Sequence, residues 1–233
     1  MVGPKTTILV VDDDPRIRLL EKQILEHEGY LVVEAASGED AVKQIVEKSP
    51  SLVLLDVIMP NLDGFATCRQ IREFSAVPVI VVTGRGNDED KLKGFETGAD
   101  DYVTKPFSPK ELAARVKAVL RRSNLGEAAS KVEADFQSGD LLIEFSKNRV
   151  TIGGKDILLT GTEHRLLAYL ARSAGRILTP DQILEQVWGR EYLGEAHLLR
   201  VTIGRLRDKL GDDAHNPRYI STRPGIGYGI IQR

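Results

Sequence analysis

Cysteine is almost missing from this 233-residue chain, with Cys68 the single example. An internal disulfide and a cysteine-built zinc site are therefore excluded, and a small buried thiol is the expected role. The four histidines are scattered, which leaves no histidine cluster for a metal. No apolar run approaches the roughly 18 to 20 residues that cross a bilayer. Met1 to Pro15 also lacks the basic start and apolar block of a secretory signal, so the cytoplasm is the expected compartment and no membrane partner is expected. Internal repeats and low-complexity tracts are absent.

A strong charge of one sign is missing too, since the formal net charge is −2. That balance hides an asymmetry. Residues 1 to 120 hold 15 Lys/Arg against 20 Asp/Glu, whereas residues 121 to 233 hold 17 against 14. An acidic half suits a cation site and a basic half suits a polyanion.

What is present has two grammars. From Thr7 to about Arg122, short β-branched runs alternate with amphipathic stretches, and the strand candidates are Ile8 to Val11, Leu31 to Ala35, Leu52 to Leu55, Val79 to Val82 and Asp101 to Thr104. Five βα units of this kind predict a parallel sheet covered by helices on both faces and joined by right-handed crossovers. Pro15 marks a first helical turn, and Ser108-Pro109 offers an N-cap and N1 pair. The segment Ser123 to Lys131 is small and polar without an apolar stripe, and it reads as linker.

Beyond it come strand-like pieces at Leu141 to Phe145, Arg149 to Ile152 and Asp156 to Leu159. Helical patterns follow at about Glu163 to Ala174, Asp181 to Trp188 and Glu195 to Leu210, the second opened by Thr179-Pro180. Arg218 to Thr222 and Ile226 to Ile231 flank Arg223-Pro224-Gly225 as a hairpin.

Asp56 is the most informative residue, because two other strand ends carry what its phosphorylation needs. Parallel strands gather Asp12-Asp13-Asp14, Asp56, Thr83 and Lys105 at one edge, where open α/β sheets bind ligands. A carboxylate attacks a phosphoryl donor only if anion repulsion is offset, usually by Mg²⁺ and a lysine ammonium. Asp12, Asp13 and Asp56 supply oxygens for a hard cation, Lys105 supplies the ammonium, and Thr83 a hydroxyl.

Val10 to Asp14, Leu55 to Pro60, Asp63-Gly64, Thr83-Gly84 and Gly98 to Phe107 resemble the receiver domain of bacterial response regulators. The resemblance implies that Asp56 accepts a phosphoryl group from a sensor histidine kinase. It implies Mg²⁺ on Asp13, Asp56 and the backbone carbonyl of Ile58, with Asp12 acting through water. Lys105 would contact the phosphoryl group, with Pro106 cis, and Thr83 and Tyr102 would form the switch pair. Asp14 is expected to be a solvated neighbour, and Ile58 and Arg85 to tune the lifetime of the phosphorylated state.

In the basic half, Leu199, Ile203, Leu206 and Leu210 recur at helical spacing as a buried stripe, with Arg200, Thr202 and Arg207 largely off it and Arg205 also available. Leu159 to Leu167, Gln186 to Gly189, Arg205 to Leu210 and Gly225 to Tyr228 resemble the winged-helix effector of the OmpR/PhoB family. That implies a helix in the major groove of double-stranded DNA, with Arg200, Thr202, Arg205, Arg207 and Lys209 as contacts, and a hairpin tip at Thr222-Arg223 on sugar-phosphate or minor groove. Trp188 then belongs to the core. Arg200, Thr202, Pro224-Gly225 and Gly229 depart from common members, so no known base preference is carried over.

The expected architecture is thus α/β, a flavodoxin-like (βα)5 receiver with a five-stranded parallel sheet over 1–122, a linker over 123–134, and an α+β winged helix-turn-helix domain over 135–233. Coupling is expected through a phosphorylated homodimer on tandem half-sites, with Lys91–Glu111, Asp100–Arg115 and Asp101–Arg122 as intersubunit pairs and RNA polymerase as a further partner. The competing readings are an aspartate-nucleophile phosphatase, which would usually carry a second aspartate where Ile58 stands, and a phosphorylation-independent DNA-binding protein. A receiver turns over no external product, so no enzyme is expected.

Overall fold

The computed structural model describes residues 6–59, 64–84, 96–128 and 134–232. The chain forms two compact units that meet in sequence between Arg122 and Ser123.

In the first unit, β1 (Thr7–Val11), β2 (Leu31–Ala35), β3 (Leu52–Asp56), β4 (Val79–Thr83) and β5 (Asp101–Thr104) form one parallel sheet in the order β2-β1-β3-β4-β5. This is the flavodoxin-like order, with its switch point between β1 and β3. Each predicted strand lies within one residue of the observed one. Alternate side chains feed opposite faces, which explains why the central strands β1, β3 and β4 read as nearly unbroken apolar runs. Leu9, Val11, Val53, Leu55 and Val81 pack with Cys68 and Ile71 on one side. Ile8, Val10, Leu54, Ile80 and Val82 pack with Leu25, Leu112 and Val116 on the other.

The described helices are α1 (Pro15–His27), α2 (Gly38–Lys48), α3 (Gly64–Phe74) and α4 (Pro109–Ala128). Asp14 caps α1 by accepting from the Arg16 N–H at 2.8 Å, so it is more than a solvated neighbour. Ser108 accepts from the Glu111 N–H at 3.1 Å and caps α4. That helix continues through residues 123–128, which composition assigned to the linker. The stretch holds the helix formers Leu125, Glu127 and Ala128 and no proline, and its one glycine, Gly126, costs a helix already running only about 1 kcal/mol.

The second unit opens with an antiparallel sheet of β6 (Phe136–Ser138), β7 (Leu141–Glu144), β8 (Arg149–Ile152) and β9 (Lys155–Asp156). Strand β6 is too short and polar to announce itself. The run expected over Asp156 to Leu159 is shorter than read: the Ile157 N–H still donates to the Val150 carbonyl, but Thr160 then caps the next helix and turns the chain away. Three helices follow, α5 (Gly161–Arg172), α6 (Pro180–Val187) and α7 (Ala196–Leu210), then the hairpin β10 (Ile220–Arg223) and β11 (Gly227–Ile230). Capping boxes open α5 and α6, Thr160 with Glu163 and Thr179 with Gln182. The hairpin is seated on Leu178, whose N–H and carbonyl both bond Tyr228. A side chain at Gly227 would overlap the Leu178 carbonyl, and one at Gly229 would press on the Arg176 carbonyl, so this contact explains why Gly229 holds no basic residue.

Candidate functional site

The C-terminal ends of β1, β3, β4 and β5 bring Asp12, Asp56, Thr83 and Lys105 to one edge of the sheet. Lys105 Nζ donates to Asp12 Oδ2 at 2.7 Å and to Asp56 Oδ2 at 2.9 Å, linking residues far apart in sequence. Asp12 and Asp56 are 1% and 5% exposed, so two carboxylates share one ammonium in a largely dry setting. The Ile58 N–H donates to Asp56 Oδ1 at 3.1 Å, and the Asp14 N–H to Asp12 Oδ1 at 2.8 Å. The Arg18 guanidinium reaches the Asp12 carbonyl at 2.7 Å. The peptide bond between Lys105 and Pro106 is cis. Gly64 begins α3 against the end of β3, where any Cβ would overlap the Asp56 carbonyl.

Burial pushes the Asp56 carboxyl above its usual range, against the pull of Lys105 and the Ile58 N–H. Burial alone would lower the Lys105 ammonium, but its bonds to Asp12 and Asp56 outweigh that and raise it. One carboxylate oxygen from each of Asp12, Asp13 and Asp56 fits within 4.8 Å of the others, an all-oxygen set suited to a hard divalent cation. Thr83 is fully buried at the end of β4. Tyr102 is partly buried against the core, with the Arg115 guanidinium 5.5 Å from its ring centroid. Ile58 is 47% exposed beside the pocket. Lys91, Asp63 and Arg85 lie outside the described residues.

One neighbour of the pocket went unread in the sequence. Glu21 of α1 is 1% exposed, and its Oε1 has no hydrogen-bond partner among the described residues. Burial raises its pKa to about 8, helped by Asp12 and Asp56 and opposed by Lys105. Its spacing to Leu25, one helical turn on, was the available signal.

Asp100 and Asp101 face different partners within this chain. Asp101 is fully buried and takes Arg115 at 3.2 Å and Arg122 at 3.0 Å. Asp100 takes Arg72 at 2.9 Å and accepts from the Val79 N–H at 3.0 Å. Successive residues of an extended segment point to opposite faces, so the two carboxylates cannot both meet α4. Within the chain, Arg115 therefore pairs with Asp101 and not with Asp100. Glu111 is partly exposed on the first turn of α4.

In the second unit, Leu199, Ile203, Leu206 and Leu210 are buried as their spacing requires. Two polar residues expected largely off the stripe, Thr202 and Arg207, are instead buried. Thr202 is 2% exposed and donates to the Leu198 carbonyl at 2.9 Å. Arg207 is 9% exposed and donates to the Ile220 carbonyl and the Thr222 hydroxyl, both at 2.8 Å. Arg205 and Lys209 pair with buried Glu163 at 3.3 and 2.7 Å. Arg205, Arg207 and Lys209 hold α7 to its own unit, because each meets α5 or the hairpin before it meets solvent, whereas Thr202 bonds back within the helix. Arg200, Gly204 and Asp208 are exposed on α7, as are Thr222 and Arg223 on the hairpin. An open groove of about 520 Å³ lined by Arg176, His215, Ser221, Thr222 and Arg223 adjoins that hairpin.

Residues 8–117 match the family model of the response regulator receiver domain, and residues 154–230 match that of the transcriptional regulatory protein, C terminal. The chain is 37% identical to the response regulator DrrB of Thermotoga maritima, described as an OmpR/PhoB homologue, with a TM-score of 0.50 over 97% of this chain and 99% of that one. It is 26% identical to a cysteine-to-serine mutant of RitR, with a TM-score of 0.78 over 98% and 100% of the two chains. A cysteine-to-aspartate mutant of RitR, at 24% identity and a TM-score of 0.80, shares the fold. The chain belongs to the OmpR/PhoB family of two-component response regulators, transcription factors that join a receiver to a DNA-binding domain.

Proposed function

We propose that Asp56 is the phosphoacceptor, and that its phosphorylation by a sensor histidine kinase gates binding of two copies of the chain to tandem DNA half-sites. The observation that carries this is Lys105 bridging Asp12 and Asp56 at the edge of the sheet. An Asp56 Oδ atom attacks phosphorus as the P–N bond of a phosphohistidine breaks, and the leaving imidazole nitrogen keeps the electron pair. Lys105 then exchanges its bond to Asp56 for one to the phosphoryl oxygens. Mg²⁺ would be held by Asp13, Asp56 and the Ile58 carbonyl, with Asp12 acting through water, and when bound it supplies positive charge against the transferring oxygens. Thr83 turns its hydroxyl toward the phosphoryl group and Tyr102 follows it inward.

The domains in this reading are the receiver over 1–122, a linker over 123–134 and the winged helix over 135–233, in a cytoplasmic protein. Dimerisation would draw on Lys91, Glu111, Asp100, Asp101, Arg115 and Arg122. Arg115, with its side chain 26% exposed, is the member of the Asp101 cluster best placed to turn toward a partner. Bound dimers would then present a surface to RNA polymerase. Treatment with acetyl phosphate and Mg²⁺ is expected to add the mass of one phosphoryl group and to shift sedimentation from monomer to dimer at tens of micromolar. Asp56→Ala should show neither change. A phosphorylated wild-type chain that stays monomeric would sink the dimer mechanism while leaving the phosphoacceptor in place.

A further inference from the structure

Helix α7 carries a glycine that its own fold does not ask for. Gly204 sits in the interior of a 15-residue helix, is exposed, and has open space where a Cβ would go. Glycine is the least favourable helix residue after proline, and no positive φ, turn or close packing within the unit explains it. It lies at the centre of the outward face. His197, Val201, Gly204 and Asp208 follow one another at helical spacing, with exposed Arg200 one turn before the glycine. The other cations of α7 are set aside: Arg205 and Lys209 on Glu163, Arg207 on Ile220 and Thr222.

We infer that Gly204 is a specificity-determining residue, missing its side chain so that the backbone of α7 can settle against base edges in the major groove. This rests on the DNA-binding reading above. A helix with its side chains is about as wide as the major groove, so removing the central side chain lets the axis sink deeper. Arg200 and Asp208, one turn to either side, then reach the groove floor. An arginine there pairs with guanine O6 and N7, and a carboxylate accepts from the cytosine N4 amino group. Recognition by this face depends on fit and on two opposite charges rather than on a row of cations.

The test uses the phosphorylated 233-residue chain and the duplex it enriches most from a random pool. Gly204→Ala is expected to raise the unfolding midpoint of the second unit by roughly 2 to 8 °C. The same substitution should weaken binding to the enriched duplex about tenfold or more, with binding to a scrambled duplex unchanged. Asp208→Asn should relax the preference at one base pair of the half-site. If Gly204→Ala is more stable and binds both duplexes as the wild type does, the glycine has no role in recognition and the inference fails. If the wild-type chain enriches no duplex at all, the DNA-binding reading fails and carries this inference with it.

Discussion

Glu21 shares the buried stripe of α1 with Leu25, a position where a hydrocarbon side chain would be the unstrained choice. Because its pKa rises from 4.5 to about 8, the folded chain holds a proton that the unfolded chain has lost between those values. Stability from this group is therefore fully present below pH 4.5, falls as pH rises through the window, and levels off above 8. The total loss is roughly 3–5 kcal/mol. Glu21→Leu should remove that slope and be the more stable protein at pH 8, as read by urea unfolding at several pH values. Equal slopes in both proteins would show that Glu21 ionises freely. Mg²⁺ should flatten the slope as well, since a cation beside Asp12 and Asp56 offsets the charges that help hold the proton on Glu21. Single residues at strand ends, Asp12, Asp56, Thr83 and Lys105, were legible in the sequence because each follows an apolar run. Glu21 was not, because a lone acid in an amphipathic stretch reads as solvated until the packing against it is known.

At the scale of elements, α7 is the instructive case. Its apolar stripe was plain from spacing, yet four of its five expected DNA contacts face inward or into ion pairs. Which polar side chains stay outside depends on what covers the flanks of the stripe, and for α7 that is Glu163 of α5 and the hairpin, both distant in sequence. The division of labour has a measurable consequence. Arg207→Ala leaves the buried Ile220 carbonyl without its donor and should cost about 2 kcal/mol of stability, whereas exposed Arg200→Ala should change stability by no more than about 0.5 kcal/mol. Duplex binding should respond in the opposite order once each variant is assayed well below its unfolding temperature. Chemical denaturation together with a binding isotherm for each variant checks both halves, and a strongly destabilised Arg200→Ala would reverse the assignment. Strand β6 and the true end of β9 were missed for local reasons, since β6 is short and polar and the Thr160–Glu163 capping box turns the chain away just after β9.

For the whole molecule, the two grammars of the sequence correspond to two compact units, one acidic and one basic. The five parallel strands were legible because those buried on both faces leave continuous apolar runs, whereas their order depends on which strands pair and was implied only by the family resemblance. The partners of Asp100 and Asp101 were less so, since Arg72 lies on α3, far from both in sequence. Asp101 is held by Arg115 and Arg122 of its own chain, so an intersubunit contact built on these residues has to rearrange an existing ion cluster. Because Asp101 is fully buried, an exchange would have to replace its arginines at once, since a charge left unpaired there is costly. In the proposed dimer, linking two DNA-binding units would raise their local concentration on adjacent half-sites.

The most direct test of that account is duplex selection from a random DNA pool, run side by side on wild-type chain and Asp56→Ala, both treated with acetyl phosphate and Mg²⁺. Enrichment of two regularly spaced half-sites by the wild type alone is the predicted result. Equal enrichment by both proteins would contradict the account, because Asp56 would then have no hold on DNA binding.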